Sequence, residues 1–276
     1  MTPSASTIAH RRQAFKQLHA SGCFVIPNPW DAGGARYLRS LGFKALATTS
    51  AGLAWSQGVP DGQLDRETVL AHLRHMVGAT DLPINADFES GFAADPQGVT
   101  ESVRLAIETG VAGLSIEDTS GDPSNPIRDI DDAVARLRAA RRAIDAAGGD
   151  TLLVGRAENF LFGRPDLEDT IARLKAYAAA GADCLYAPGI TTREQITAVV
   201  AAVAPKPVNL LVGAAGPLTV ADIAALGVRR VSLGGALART AWSAFMRAAQ
   251  AVAEGGRFDG FAEAASGQAL NAVFKT

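Results

Sequence analysis

Short apolar runs alternate along the chain with longer stretches in which apolar positions return every three or four residues, the spacing of one helix face. Eight runs read as strands: Phe24-Val25-Ile26, Ala45 to Thr49, Ile84 to Asp87, Gly113 to Glu117, Leu152 to Arg156, Cys184 to Tyr186, Val208 to Leu211 and Arg230 to Ser232. Ahead of the first, Ile8, Ala14, Phe15 and Leu18 predict an amphipathic helix from Thr7 to Ala20, stopped by Gly22. Asp31 and Asp65 are placed to cap helices running to Leu41 and Met76. Gly110, Gly148, Gly181 and Gly227 each close a helical stretch just before a strand. Strands separated by helices imply a parallel sheet, and eight such units in about 250 residues have the size of a closed (β/α)8 TIM barrel. An open doubly wound sheet would want a glycine-rich phosphate turn after its first strand, and Pro27-Asn28-Pro29-Trp30-Asp31 is not one. No linker divides the chain, so residues 1–276 read as one barrel domain. Leu237 to Ala253 reads as a long last helix, followed after Gly255-Gly256 by an Ala- and Phe-rich segment, Phe258 to Phe274, expected to pack on a neighbouring subunit.

Composition narrows the function. Of 276 residues 48% are hydrophobic, enough for a large core, and a net charge of −2 offers no basic field for nucleic acid or an anionic membrane. Small-molecule chemistry is the class left. Cys23 and Cys184, the two cysteines, sit in apolar runs and read as reduced buried thiols, which suits the cytoplasm. Arg11, Arg12 and Lys16 near the N-terminus are not followed by an apolar signal segment, and no long uncharged apolar run occurs, so the protein is expected to be soluble and unexported.

Charge then gathers where strands end. Asp87 and Glu89 follow the third strand, Glu117 and Asp118 close the fourth, Arg156 and Glu158 close the fifth, and Asp61 stands in the long stretch Ser50 to Gly62 after the second, read as a loop. In barrels the strands' C-terminal ends form the active face. Hard oxygen donors without histidine suit Mg²⁺ or Mn²⁺, with Asp87, Asp61, Glu89 and Glu117 as candidate ligands and some of them reaching the ion through water. For each acid taken singly, a helix cap or an ion pair with Arg156 is an equal explanation. Arg156 is placed to clamp an oxygen that gains negative charge, and an ion pair with Glu158 or Glu117 is the structural alternative. Ser50, Ala51 and Gly52 offer consecutive backbone N–H groups for a substrate carboxylate. Trp30 and Trp55 either line the mouth or fill core. His72 and His75 read as solvated on an outer helix, and Cys184 as a packed thiol.

Taken in order, Pro27-Asn28-Pro29-Trp30-Asp31, Ser50-Ala51-Gly52 with Gly58-Val59-Pro60-Asp61, Asp87 with Gly91-Phe92, Ile116-Glu117-Asp118, Gly155-Arg156-Ala157-Glu158 and Pro207-Val208-Asn209 give the chain its likeness. It resembles the isocitrate lyase and phosphoenolpyruvate mutase superfamily over nearly its whole length. The resemblance implies a barrel whose terminal helix is exchanged between subunits of a homodimer or homotetramer, and a Mg²⁺-bound 2-oxo acid or enolate at its centre. It implies substrate contacts from Ser50, Ala51, Gly52, Trp30, Arg156 and Asn209, and C–C or P–C bond chemistry beside a carbonyl.

Two departures stand out. Lyases of the superfamily that cleave isocitrate or methylisocitrate carry Lys-Lys-Cys-Gly-His after the fourth strand, where this chain has Thr119-Ser120-Gly121-Asp122-Pro123-Ser124-Asn125-Pro126. Asn85 stands where the superfamily's Asp-x-Asp pair has its first acid, and Glu89, two positions past Asp87 on an extended strand, is placed to replace it. The expected function is a Mg²⁺-dependent lyase or decarboxylase of a small 2-oxo or 2-hydroxy dicarboxylate resembling oxaloacetate. Arg156, Asp61 and Glu117 are its expected catalytic residues. The alternatives are a phosphonopyruvate-type mutase or hydrolase and a barrel that binds 2-oxo acids without turnover.

Overall fold

The structure is a computed structural model that describes residues 3–275. In chain order its elements are α1 (Ala5–Ala20), β1 (Phe24–Ile26), α2 (Ala32–Ser40), β2 (Leu46–Ala47), α3 (Ser50–Ser56), α4 (Arg66–Ala79), β3 (Ile84–Asp87), α5 (Pro96–Glu108), β4 (Gly113–Glu117), α6 (Ile130–Ala146) and β5 (Leu152–Arg156). There follow α7 (Leu167–Ala179), β6 (Cys184–Tyr186), α8 (Arg193–Val203), β7 (Val208–Leu211), α9 (Val220–Ala225), β8 (Arg230–Ser232), α10 (Ala236–Gly255), a 3₁₀ turn (Asp259–Phe261) and α11 (Gly267–Val273). All eight strands are parallel, in the order β1-β8-β7-β6-β5-β4-β3-β2. Between β1 and β2 the ladder is reduced to the Ala47 N–H donating to the Pro27 carbonyl at 3.0 Å. With that bond the sheet closes on itself as the expected (β/α)8 barrel.

The seam is reinforced by a side chain. Asn28 is buried, donates through Nδ2 to the Thr48 carbonyl at 2.9 Å, and accepts through Oδ1 from the Leu233 and Gly234 N–H groups, both at 2.9 Å. One amide therefore binds the ends of β1, β2 and β8 together. Its neighbour Asp31 caps α2, accepting from the Gly34 N–H at 2.6 Å.

Strand alternation separates two interiors. Outward residues such as Leu114, Ile116, Leu153, Leu185, Leu210 and Val231 join the helical ring in one apolar layer. Inward residues Ile26, Ala45, Ala47, Leu152, Val154 and Cys184 pack with Phe15 of α1. That helix plugs the N-terminal end of the barrel. Phe15 is fully buried, Arg11 donates to the Val77 carbonyl at 2.9 Å, and Arg12 donates to the Val111 and Ile107 carbonyls at 3.0 and 2.9 Å. Above this plug the inward positions turn polar, with Asn85, Ser115, Asn209, Arg230 and Ser232.

Two expectations change. Ser50 to Gly62 is not loop throughout, because the Thr49 hydroxyl accepts from the Gly52 N–H at 3.3 Å and starts α3. His72 is half-buried rather than solvated, since α4 packs against α2. Its Nε2 has no hydrogen-bond partner, and burial lowers its pKa to about 4. The segment Phe258 to Phe274 forms the 3₁₀ turn and α11, and the Phe274 ring of the same chain reaches Gly33 of α2. Cys23 and Cys184 are free thiols, as expected, but only Cys184 is buried; Cys23 is half-buried.

Behind the barrel rim, Asp118 follows Glu117 and therefore points the other way. Buried, it accepts from the Tyr177 hydroxyl at 2.6 Å, from Arg173 at 3.1 Å and from the Glu158 N–H at 2.9 Å, tying α7 to the loop after β5. Asp118→Ala should lower unfolding stability by about 3–5 kcal/mol by leaving Arg173 and Tyr177 short of their acceptor, which a urea titration would read. His19 gives a pH signature. Its Nδ1 donates to the Phe15 carbonyl at 2.8 Å, and burial followed by the charge of Arg230 lowers its pKa from 6.5 to about 3. The unfolded chain therefore takes up a proton near pH 6.5 that the native chain refuses until about pH 3. His19 should withdraw stability as pH falls through that window. In urea titrations across it, His19→Gln should show a slope shallower by up to one proton than the parent.

Candidate active site

Adjacent strands deliver the central charges. Asp87 ends β3, Glu117 ends β4 and Arg156 ends β5, with Glu117 and Arg156 directly paired across the sheet. All three occupy inward positions, so their side chains meet over the barrel mouth. Arg156 Nη1 lies 2.7 Å from Asp87 Oδ1 and 3.1 Å from Glu117 Oε2, and its Nε lies 2.9 Å from Glu158 Oε1. The guanidinium also stacks over Tyr186, 4.9 Å from the ring centroid. Asp87 is positioned further by one donor and one acceptor of the chain. Its Oδ2 accepts from the Ser50 N–H at 3.0 Å, and its own N–H donates to Thr48 Oγ1 at 2.9 Å. Glu117 Oε1 accepts from the Thr119 hydroxyl at 2.8 Å.

One guanidinium cannot neutralise this many acids. Burial, with repulsion from Asp87 among its further causes, raises the Glu117 carboxyl, and burial also raises Glu158. Asp61 enters the mouth from the loop after α3, where burial raises its carboxyl against the opposing effect of the Ser50 hydroxyl. Glu89 is pushed up to about 8 by burial and then by Asp87, Glu117 and Asp61. Contrary to the expectation, Glu89 does not reach the site along an extended strand; β3 ends at Asp87 and Glu89 has φ +45°, a left-handed turn residue. The turn, not strand alternation, brings its carboxyl to the outer mouth.

Two connected spaces open here. An inner cavity of about 180 Å³ runs from Asp61, Asp87 and Arg156 past Thr48, Ser50, Ala51, Ser115 and Tyr186 down to Asn85, Arg230 and Ser232. An outer vestibule of about 740 Å³ is lined by Glu89, Glu117, Glu158, the Thr119 to Pro123 loop, Leu161 and Phe162. Asp61, Ser50, Arg156 and Leu161 border both.

The expected substrate contacts are distributed unevenly. Ser50 and Ala51 line the inner cavity as the first turn of α3. The Ser50 and Gly52 N–H groups, however, are already given to Asp87 and Thr49. Glycine is required at position 52, because a Cβ there would stand 2.7 Å from Thr49 Cγ2 and 2.9 Å from Trp30 Cβ. Trp30 thus packs behind α3. Asn209 is fully buried and spends its amide on Ser232, at 2.9 Å, and on Arg230, at 2.7 Å. The residues not anticipated are Thr48, Ser115, Tyr186, Arg230 and Ser232. Apart from Thr48, which follows β2, their signal was a polar group at the inward register of a strand, with Arg230 the plainest case.

The donor set suits a small divalent cation. Among the described residues no three His, Cys, Asp or Glu side chains form a metal cluster. The physical reason is that Asp87 and Glu117 both turn an oxygen to Arg156. Mg²⁺ keeps most of its water and takes one or two protein carboxylates, so acids spread around a mouth in mutual repulsion fit it.

Known proteins share this fold. The family model described as phosphoenolpyruvate phosphomutase matches residues 15–253. An oxaloacetate decarboxylase of Bradyrhizobium sp. (strain ORS 278) is 33% identical, over 82% of this chain and 78% of its own. A protein of Burkholderia cenocepacia J2315, described as a candidate lyase/mutase, superposes with a TM-score of 0.94 at 49% identity, covering 98% of both chains. The crystal structure of 2,3-dimethylmalate lyase, a PEP mutase/isocitrate lyase superfamily member, superposes with a TM-score of 0.84 at 27% identity, covering 99% of this chain and 96% of that one. With the barrel, the rim acids and Arg156 in place, the chain belongs to the phosphoenolpyruvate phosphomutase family, within the PEP mutase/isocitrate lyase superfamily.

Proposed function

We propose that the protein is a carbon–carbon lyase that decarboxylates a small 2-oxo dicarboxylate, with oxaloacetate as its substrate and Mg²⁺ or Mn²⁺ as its cofactor. The observation that carries this reading is the surplus of carboxylates around Arg156 at the mouth of a small polar cavity. The Bradyrhizobium decarboxylase supports the substrate, and 2,3-dimethylmalate lyase supports the bond class.

Asp87, Asp61 and Glu117 would hold the cation directly or through water, with Glu89 completing the charge around them. A bound divalent ion supplies Lewis acidity to the substrate's keto oxygen. The substrate's C1 carboxylate docks against Ser50 and Ala51, beside Gly52, whose missing side chain lets α3 approach. Arg156 stabilises negative charge on the keto oxygen as the C3–C4 bond breaks and its electron pair moves toward C2. Carbon dioxide leaves through the vestibule, and water there returns a proton to C3 to give pyruvate. The loop after β4, from Thr119 to Pro126, contains no Lys, Cys or His, which suits a reaction needing an electron sink more than a strong acid.

A phosphonopyruvate reaction is the second reading, favoured by the family model and by Ser124-Asn125 in that loop. Both side chains are spent locally, Ser124 on Asp122 and Asn125 on Arg164, which weakens it. The apolar groove between Trp55 and Trp242, with Met246 beside it and Phe245 exposed on α10, supports association with a second copy through the C-terminal helices.

Steady-state assays with oxaloacetate should show turnover that EDTA abolishes and Mg²⁺ or Mn²⁺ restores. Arg156→Gln should lower kcat by about 10²–10³-fold. Metal-independent turnover would contradict the proposal, and conversion of phosphonopyruvate in ³¹P NMR with no action on oxaloacetate would replace it. No turnover of either, alongside metal-linked binding, would make the barrel a binding protein. Light scattering after size exclusion should give a dimer or tetramer mass, and Phe245→Glu with Met246→Glu should shift it toward the monomer.

A further inference from the structure

The floor of the inner cavity holds a positive charge that the chain itself leaves unbalanced. Arg230 is 2% exposed, and among the described residues no carboxylate lies within 4.0 Å of it. Its contacts are all neutral: Nε donates to Asn209 Oδ1 at 2.7 Å, and Nη1 lies 3.3 Å from Asn85 Oδ1 and 3.5 Å from His19 Nε2. Since His19 gives its Nδ1 proton to the Phe15 carbonyl, the Nε2 facing Arg230 is a lone pair. Three uncharged acceptors therefore orient a guanidinium without neutralising it. Other buried arginines close against carbonyls and acids of the frame, as Arg136 does with Asp132, Ala93 and Ala94. Arg230 instead borders a cavity. A buried charge normally has a partner, and a cavity of this size admits a small anion in place of several waters.

We infer that Arg230 seats the second carboxylate of the ligand and so selects dicarboxylates over monocarboxylates of the same skeleton. This rests on the reading that the site takes a 2-oxo or 2-hydroxy dicarboxylate. The cavity is polar at both ends with opposite sign: surplus acids and a cation site at the mouth, an unneutralised guanidinium at the floor. A ligand chelating at the top and anionic at the bottom satisfies both. Asn85 gains a reason from this. A carboxylate at that position would neutralise Arg230 from within and remove the charge the ligand is meant to meet.

The test is equilibrium binding without turnover, by calorimetry of the whole chain at saturating Mg²⁺, with malate and 2-hydroxybutanoate as a pair differing in one terminal carboxylate. The parent should bind malate about tenfold or more tightly than 2-hydroxybutanoate, the scale of one charge-assisted contact. Arg230→Gln should reduce that preference to about threefold or less while leaving 2-hydroxybutanoate binding unchanged, and Arg230→Lys should keep part of it. Asn85→Asp should lose the preference too, with the guanidinium intact and the thermal midpoint raised. A parent without the preference, equal weakening of both ligands in Arg230→Gln, or a preference intact in Asn85→Asp would overturn the inference. If Arg230→Gln does not fold, Asn85→Asp decides. A chain that fails to decarboxylate oxaloacetate but loses its malate preference in these variants keeps this inference and sinks the earlier reading. The converse pattern sinks only this one.

Discussion

A single guanidinium organises the active face. Arg156 gathers carboxylates from β3, from β4 and from the loop after β5, so three separate stretches of chain are fixed relative to one another by one planar cation. The arrangement is unsatisfied in charge and satisfied in geometry. Each acid has a defined direction, yet the sum of acids exceeds what Arg156 can offset, and carboxyls such as Glu89 respond by holding their protons more tightly. Under the proposed function, that surplus is what would draw a divalent cation to the mouth. Were Arg156 absent, the same acids would splay toward water and the rim would lose its shape with its charge.

The remainder of the barrel interior is graded to support that mouth. Phe15 and the apolar residues beside it pack across the lower end. Polar residues begin only above that plug, each tied to a neighbour: Asn209 to Ser232, Asn85 to the Ala86 carbonyl, Ser115 to the same carbonyl. An apolar base and a bonded polar shaft make the cavity rigid, and rigidity lets opposed charges stay apart instead of collapsing together. Asp118 does the matching task outside, holding the backbone of Glu158 and hence one of the three acids on Arg156.

The strands, their order and the rim positions of Asp61, Asp87, Glu117 and Arg156 were legible because a barrel repeats one simple pattern, and the end of each apolar run marks the active face. What escaped the pattern has local causes. Helix α3 was hidden because Ser-Ala-Gly is a poor helical opening that only the Thr49 cap and the close approach to Trp30 make stable. Glu89 was misplaced along a strand because nothing in the residue type announces a left-handed backbone. Asp118 was grouped with the rim although its neighbour Glu117 takes the inward side. In the sequence Arg230 reads only as the first residue of a strand, and closure of the sheet turns that position into an interior one. Asn209, expected at the substrate, lies one layer too deep and orients Arg230 instead.

The clamp at the seam has a chemical side as well as a mechanical one. Asn28 uses both faces of its amide, so hydrolysis to the acid would replace the donor facing Thr48 with a second acceptor and push the ends of β1 and β2 apart. Asparagine ordinarily ages by attack of the following backbone nitrogen on its side chain. Here the following residue is Pro29, whose ring nitrogen carries no hydrogen and cannot close that cycle. The weakest join in the barrel is thus fastened by a group shielded from its commonest route of decay, and the wall of the cavity should keep its closure for the working life of the molecule.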